Sequence, residues 1–188
     1  TLMDAFVGCD YDMRSVMRVL FNSDFFKSAA FARVKSPAEV AVGAARQAGT
    51  FQFPDVDDID LGGNVAAMGQ SLLDPPSVEG WHTGKEWINS AALVQRVNFA
   101  ARQFADVSSP GVQSIIERIR SQGAYASPEQ LVDACLDLLG PLSVSEGTRS
   151  EMLAQAAAGG EMSFDAEDGA RSAAERINQI LQLIVSTR

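Results

Sequence analysis

Along most of this chain apolar residues recur at intervals of three and four, the spacing that lines one face of an α-helix. Leu2, Met3, Phe6 and Val7 open the first such pattern. Met13, Val16, Met17 and Leu20 form the second, with Asp12 placed to cap it, and Ser23 caps a short helix carrying Phe25 and Phe26. Ser36-Pro37-Ala38-Glu39 is the clearest start signal. Serine accepts an orphan N–H, proline fits the first turn, and glutamate three residues after serine completes a capping box. That helix is expected to run to about Ala48 and to stop at Gly49. Ser109-Pro110 and Ser127-Pro128-Glu129 repeat the grammar, ahead of the stripes Val112, Ile115, Ile116, Ile119 and Leu131, Ala134, Cys135, Leu138. Ser145 or Thr148 starts a helix through Met152, Leu153 and Ala156. A last helix opens near Asp165, its expected N-cap, and carries Ala173, Ile177, Ile180, Leu181 and Ile184. Thr50-Phe51-Gln52-Phe53 alternates, but it is short and ends at Pro54, so it reads as an extended connector. The expectation is an all-α fold of about seven to nine helices.

Residues 51–87 break the pattern. They hold Pro54, Pro75 and Pro76, five glycines and both tryptophans, with one short helix expected from Asn64 to Gln70. A loop this long inside a compact domain is functional or disordered, and Trp81 and Trp87 argue against disorder. A second boundary falls near Ala105–Pro110. The expected organisation is a motif-bearing helical region, 1–105, with a C-terminal helical region, 106–188, packed against it as one unit.

Composition narrows the function classes. The chain has 188 residues, 46% hydrophobic and 21% charged, enough for a real core. Fifteen Lys and Arg stand against twenty-four Asp and Glu, a formal charge of −9, which excludes a nucleic-acid phosphate partner. One histidine and two cysteines exclude His-rich metal sites, thiolate zinc and a disulfide framework. Cys135 falls on an apolar stripe and is expected to be buried; Cys9 is expected at the edge of a turn, and a bridge between them is left open by the sequence. No apolar run reaches the roughly 18 residues of a membrane span. No Walker or dinucleotide glycine loop is present, and no cofactor is expected. The first and last helical patterns run close to the chain ends, so the sequence is expected to be a fragment of a larger protein.

Several motifs then stand together. Leu20-Phe21-Asn22-Ser23-Asp24-Phe25-Phe26, Val34-Lys35-Ser36-Pro37-Ala38-Glu39 and Arg46 come first. Met68-Gly69-Gln70, Pro75-Pro76-Ser77-Val78-Glu79-Gly80-Trp81, Gly84-Lys85-Glu86-Trp87-Ile88-Asn89 and Arg96-Val97-Asn98-Phe99-Ala100 follow. This order resembles the C-terminal part of the bacterial Domain of Unknown Function 1800 family, most specifically over residues 16–104. The resemblance implies a larger bacterial protein, often exported or periplasmic, and supplies no activity. The family usually has proline after Gly-Trp, where this chain has His82.

The candidate site is Gly80-Trp81-His82-Thr83-Gly84-Lys85-Glu86-Trp87 with Glu79. Two glycines permit tight turns that hold two indoles near His82 and Glu86. One reading is an aromatic platform for a sugar ring or peptide. The other is a pair of indoles plugging the loop onto the core. Asp74, Glu79 and Glu86 could supply paired carboxylates for glycoside hydrolysis. Asp55, Asp57, Asp58 and Asp60 form a weak calcium candidate, because Ile59 interrupts the ligand spacing. On the helix after Asn89, Leu93, Val97, Ala100 and Phe104 mark the expected buried stripe, with Arg96 about 60° from its centre. A half-buried arginine needs an acceptor, and Glu39 is the expected partner, an anion clamp being the alternative.

The sequence therefore favours a non-catalytic structural or interaction module. Its partner would be the N-terminal region of a larger protein or a separate protein, with no nucleic acid. The alternative is a polymer- or carbohydrate-directed hydrolase, or a glycan-binding module, built on the Trp81/Trp87 loop.

Overall fold

The computed structural model describes residues 1–30, 32–51, 58–122, 127–140, 142, 144–158, 164 and 167–187. Among these the chain is all-α, with ten α-helices and one 3-10 turn, Gly84–Trp87. The count exceeds the expected range by one. The three N-terminal patterns form α1 (Leu2–Gly8), α2 (Met13–Asn22) and α3 (Asp24–Ser28) as expected, with Ser23 both ending α2 and capping α3.

The caps act where the sequence places them, except at Ser109, whose side chain makes no cap hydrogen bond. Asp12 accepts from the Arg14 and Ser15 amides at the start of α2. Ser36 and Glu39 form a complete capping box on α4 (Pro37–Ala48), which ends on left-handed Gly49. Asn89 caps α6 (Ser90–Gln103), accepting from Ala92 N at 2.9 Å. Pro110 and Pro128 occupy the first turns of α7 (Pro110–Ser121) and α8 (Pro128–Leu139). Ser145, not Thr148, caps α9 (Glu146–Ala157). The last helix is α10 (Glu167–Ser186); the Asp165 cap lies outside the described residues.

One helix departs from expectation. It is α5 (Asp58–Ala67), which starts earlier than Asn64 and runs through Gly62 and Gly63. Glycine costs about 1 kcal/mol against alanine inside a helix. Burial of Val65 and of Met68, just past the end of α5, against Ala41 and Phe99 outweighs that cost.

Two apolar clusters hold the helices. The larger gathers Phe104, Val112, Ile116, Ile119, Leu131, Cys135, Met152, Ile177, Ile180 and Ile184, from α7 to α10 and the end of α6. The smaller joins α4, the α5 end and α6. Helix α6 links them, packing on α4 along one side and on α10 along another. Asn178 and Gln182 of α10 donate to the carbonyls of Ala105 and Phe104, satisfying acceptors at the end of α6.

The end of α4 meets the start of α7 at two glycines. A Cβ on Gly49, at φ +71°, would lie 2.8 Å from Gly111 N. A Cβ on Gly111 would run into the carbonyls of Gln47 and Ala48. The N-terminal helices pack differently. They contact chiefly one another, and Val16 is their one buried side chain among the described residues. Asp10 and Tyr11 both take positive φ to reverse the chain between α1 and α2, and Phe6 and Tyr11 meet edge-to-face at 5.0 Å.

The two cysteines are unpaired. Burial pushes the Cys135 thiol up to about 12, whereas Cys9 is partly exposed. Thiolate is the reactive form. Iodoacetamide at pH 8 followed by mass spectrometry of the native protein should therefore add one group, on Cys9. Prompt modification of Cys135 without denaturant would contradict this packing. Gly111→Ala should lower unfolding stability by about 2–3 kcal/mol in urea melts, because backbone rather than a side chain must yield. Gly62→Ala, whose added methyl meets nothing, should be neutral or gain up to ~1 kcal/mol. Equal stability of the two variants would refute the close α4–α7 approach.

Candidate functional site

The site forms where the segment before α4 crosses the turn between α5 and α6. Gly69, at φ +102°, ends α5 and sends the chain back across the first turn of α4. Gln70 follows and is 8% exposed. Its Oε1 accepts from Ala38 N at 3.0 Å, satisfying an orphan donor at the helix start. An N–H can be met only by the amide oxygen, so this bond fixes the orientation of the side chain.

The two tryptophans take different roles. Trp87 closes the 3-10 turn and is 6% exposed, an apolar anchor for the loop. Trp81 is half-buried, and its Nε1 donates to Ser71 O at 3.0 Å, fixing the ring on a loop that Gly80, at φ +98°, turns tightly. The loop is thus anchored by one indole and leaves part of the other accessible. His82 Nδ1 and Glu86 Oε2 lie 3.0 Å apart on the exposed rim. Glu79 is exposed, and its amide bonds Ser77 Oγ.

A pocket of about 280 Å³ lies between these pieces, walled by Val34, Gln70, Trp81 and Trp87 and edged by Arg33, Ser36, His82, Thr83 and Gly84. It brings together three of the expected residues, Trp81, His82 and Trp87. Glu79 and Glu86 do not line it. Thr83 and Gly84 of the expected loop also line it, whereas Arg33, Ser36 and Gln70 come from outside the expected site. For Gln70 a signal existed, a polar side chain directly after a helix-ending glycine next to a buried methionine.

The expected Glu39–Arg96 pair does not form. Glu39 instead takes Arg33, with Arg33 Nη2 at 2.8 Å from Oε1, and accepts the Ser36 amide at 2.8 Å. The Ser36 amide foremost, helped by Arg33, holds its carboxyl below the usual carboxylate range. Arg96 is 5% exposed, and its Nη1 donates to Lys35 O at 2.9 Å. Its Nε and Nη2 are buried without a partner. Burial lowers its pKa, but a guanidinium remains charged in proteins. The expected stripe was also rotated. Ala92, Arg96, Phe99 and Ala100 form the buried face, while Leu93 is exposed and Val97 half-buried. The cause is the partner surface, because α4 offers Ala41, Ala45 and Ala48. Small residues there let α6 approach with its own Ala92 and Ala100.

The calcium candidate falls largely outside the described residues, which omit Asp55, Asp57 and the Asp58 side chain. Asp60 Oδ2 accepts from Asn64 Nδ2 at 3.0 Å, a local helical bond. Among the described residues no three His, Cys, Asp or Glu side chains gather as metal ligands.

With its helices and loop in view, the chain can be placed. It matches the family model described as "Protein of unknown function (DUF1800)" over residues 1–187, and it belongs to that family. No curated protein and no solved structure matches it.

The uncompensated guanidinium makes a measurable statement. A buried cation without a carboxylate carries a desolvation cost that an apolar side chain of similar length avoids. Arg96→Met should leave stability unchanged or raise it by about 1–2 kcal/mol in thermal or urea melts. Arg96→Ala should lower it through lost packing. A loss of 3 kcal/mol or more in Arg96→Met would mean that a counter-charge sits on the guanidinium after all.

Proposed function

We propose that this chain is a non-catalytic interaction module of a larger bacterial protein, and that it docks onto protein through α1, α2 and α3. The carrying observation is the exposed apolar surface of that arm. Of seventeen large hydrophobic side chains exposed among the described residues, ten lie within residues 1–28, among them Met3, Val7, Tyr11, Phe21, Phe25 and Phe26. Scattered exposed hydrophobics are ordinary, but a concentration of this kind marks an interaction surface. The same helices are well capped and ordered by their own sequence, so their apolar faces are presented on a formed scaffold rather than on a collapsed one. Burying each such side chain against a partner is worth about 1.5–3 kcal/mol.

The carboxylates favour this reading over a hydrolase. Glu79 and Glu86 stand outside the pocket wall, and Glu86 is engaged by His82. Cover for the arm comes from apolar protein, either another region of a longer polypeptide or a separate chain. Export of the whole protein to the periplasm or beyond is part of the same proposal, and rests on the family alone.

Site-specific photo-crosslinking in the source cells tests the docking. A benzophenone amino acid replacing Phe21 or Phe25 in the full gene product should give one discrete adduct, to a partner or within the same polypeptide. The same group at exposed Arg171 on α10 should give none. Absence of any adduct from several arm positions, with the protein folded and expressed, would sink the proposal.

A further inference from the structure

The pocket beside Trp81 is separate from the apolar arm and has its own chemistry. The most buried polar side chain lining it is Gln70. The amide oxygen is engaged by Ala38 N, yet the amide nitrogen has no hydrogen-bond partner among the described residues. That nitrogen is not among the sealed, unpaired polar atoms, and Gln70 lines the pocket. A donor fixed in orientation, on a side chain more than nine-tenths buried, is therefore presented to whatever enters. Thr83 adds a hydroxyl at the edge that caps no amide and has no partner among the described residues.

The walls are aromatic and aliphatic, and the Trp81 ring is held still by Ser71. The polar groups on the edge already have partners, Arg33 with Glu39 and His82 with Glu86. An anionic ligand would find no free cation on the wall, and a cation would find no free carboxylate. What fits is a neutral molecule with one apolar face and several hydroxyls. The volume, about 280 Å³, sits at the lower bound of ligand pockets and admits a single ring.

We propose that this pocket binds one neutral pyranose ring, stacked on Trp81, with a ring hydroxyl accepting from Gln70 Nε2 and another bonded to Thr83. Stacking uses the apolar face of the sugar, and the amide supplies orientation. Binding involves no bond breaking. It is weak for a lone monosaccharide, since a single ring makes few contacts.

The test is a titration of the intact protein with methyl β-D-glucopyranoside, methyl α-D-mannopyranoside and N-acetylglucosamine up to tens of millimolar. Tryptophan fluorescence and ligand-detected saturation-transfer NMR are the readouts. At least one probe should give a saturable response. Gln70→Glu keeps the acceptor that Ala38 needs and removes the donor. It should fold normally and weaken binding by roughly tenfold, the worth of one hydrogen bond. Thr83→Val should weaken it less. Phe21→Ser, on the arm, should leave the titration unchanged, so loss of the docking surface and loss of the pocket register separately. No saturable response to any probe overturns the proposal. So does binding that Gln70→Glu leaves intact, or a response that sodium acetate reproduces and the sugars do not.

Discussion

The architecture turns on the distance between two backbones. Where α4 ends and α7 begins, Gly49 and Gly111 stand so close that neither accepts a methyl group without moving main chain. Ala48 just before Gly49 belongs to the larger apolar cluster, and Ala41 and Ala45 line the buried face that leads to it. That junction sets where α4 lies against the C-terminal helices, and α4 in turn sets α6. Because α6 packs on both α4 and α10, the position of one short alanine-rich helix reaches most of the core. Small residues achieve this by closeness rather than by area. A contact of this kind contributes little transfer free energy, but it tolerates almost no change in shape.

The loop that carries the site depends on the same helix. Gln70 reaches the first turn of α4, Arg96 reaches the carbonyl just before it, and Glu39 closes its cap. Two side chains distant in sequence, Gln70 and Arg96, thus converge on one helix start that its own Glu39 closes. Unpaired amide donors there attract acceptors, and the chain supplies them from a capping serine and a remote amide. The pocket adjoins that convergence, because Gln70 both caps the helix start and lines the wall. Trp87 secures the loop from beneath, which leaves Trp81 free to present part of its ring.

What the sequence made legible was local chemistry. Asp12, Ser36, Gly49, Asn89, Ser127 and Ser145 act at their helix ends because capping is settled by a few neighbouring residues. The all-α class followed from periodicity. Partner choice was harder to read. Glu39 found a nearer arginine at position 33, six residues away, and a long-range pair with Arg96 could not compete with it. The α6 stripe was misjudged because hydrophobicity ranks Leu93 above Ala92, while the facing alanines of α4 favour the smaller residue. Gly62 and Gly63 read as loop, yet burial of Val65 and Met68 carried the helix through them. Each miss has one origin: the deciding surface belonged to another element. Of the site, the indoles and His82 were visible from their spacing, whereas Gln70 took its role from the fold.

The N-terminal arm has a thermodynamic consequence of its own. Its helices contact chiefly one another and bury little, while the body from α4 onward shares two continuous cores. Free energy of opening is therefore uneven along the chain, small over residues 1–28 and approaching the global value in α7, α8 and α10. Amide protons of the arm exchange through local fraying that leaves the body intact. Under the proposed docking, cover would slow exchange in the arm and leave the body unchanged, so the arm's exchange rate would gauge its occupancy.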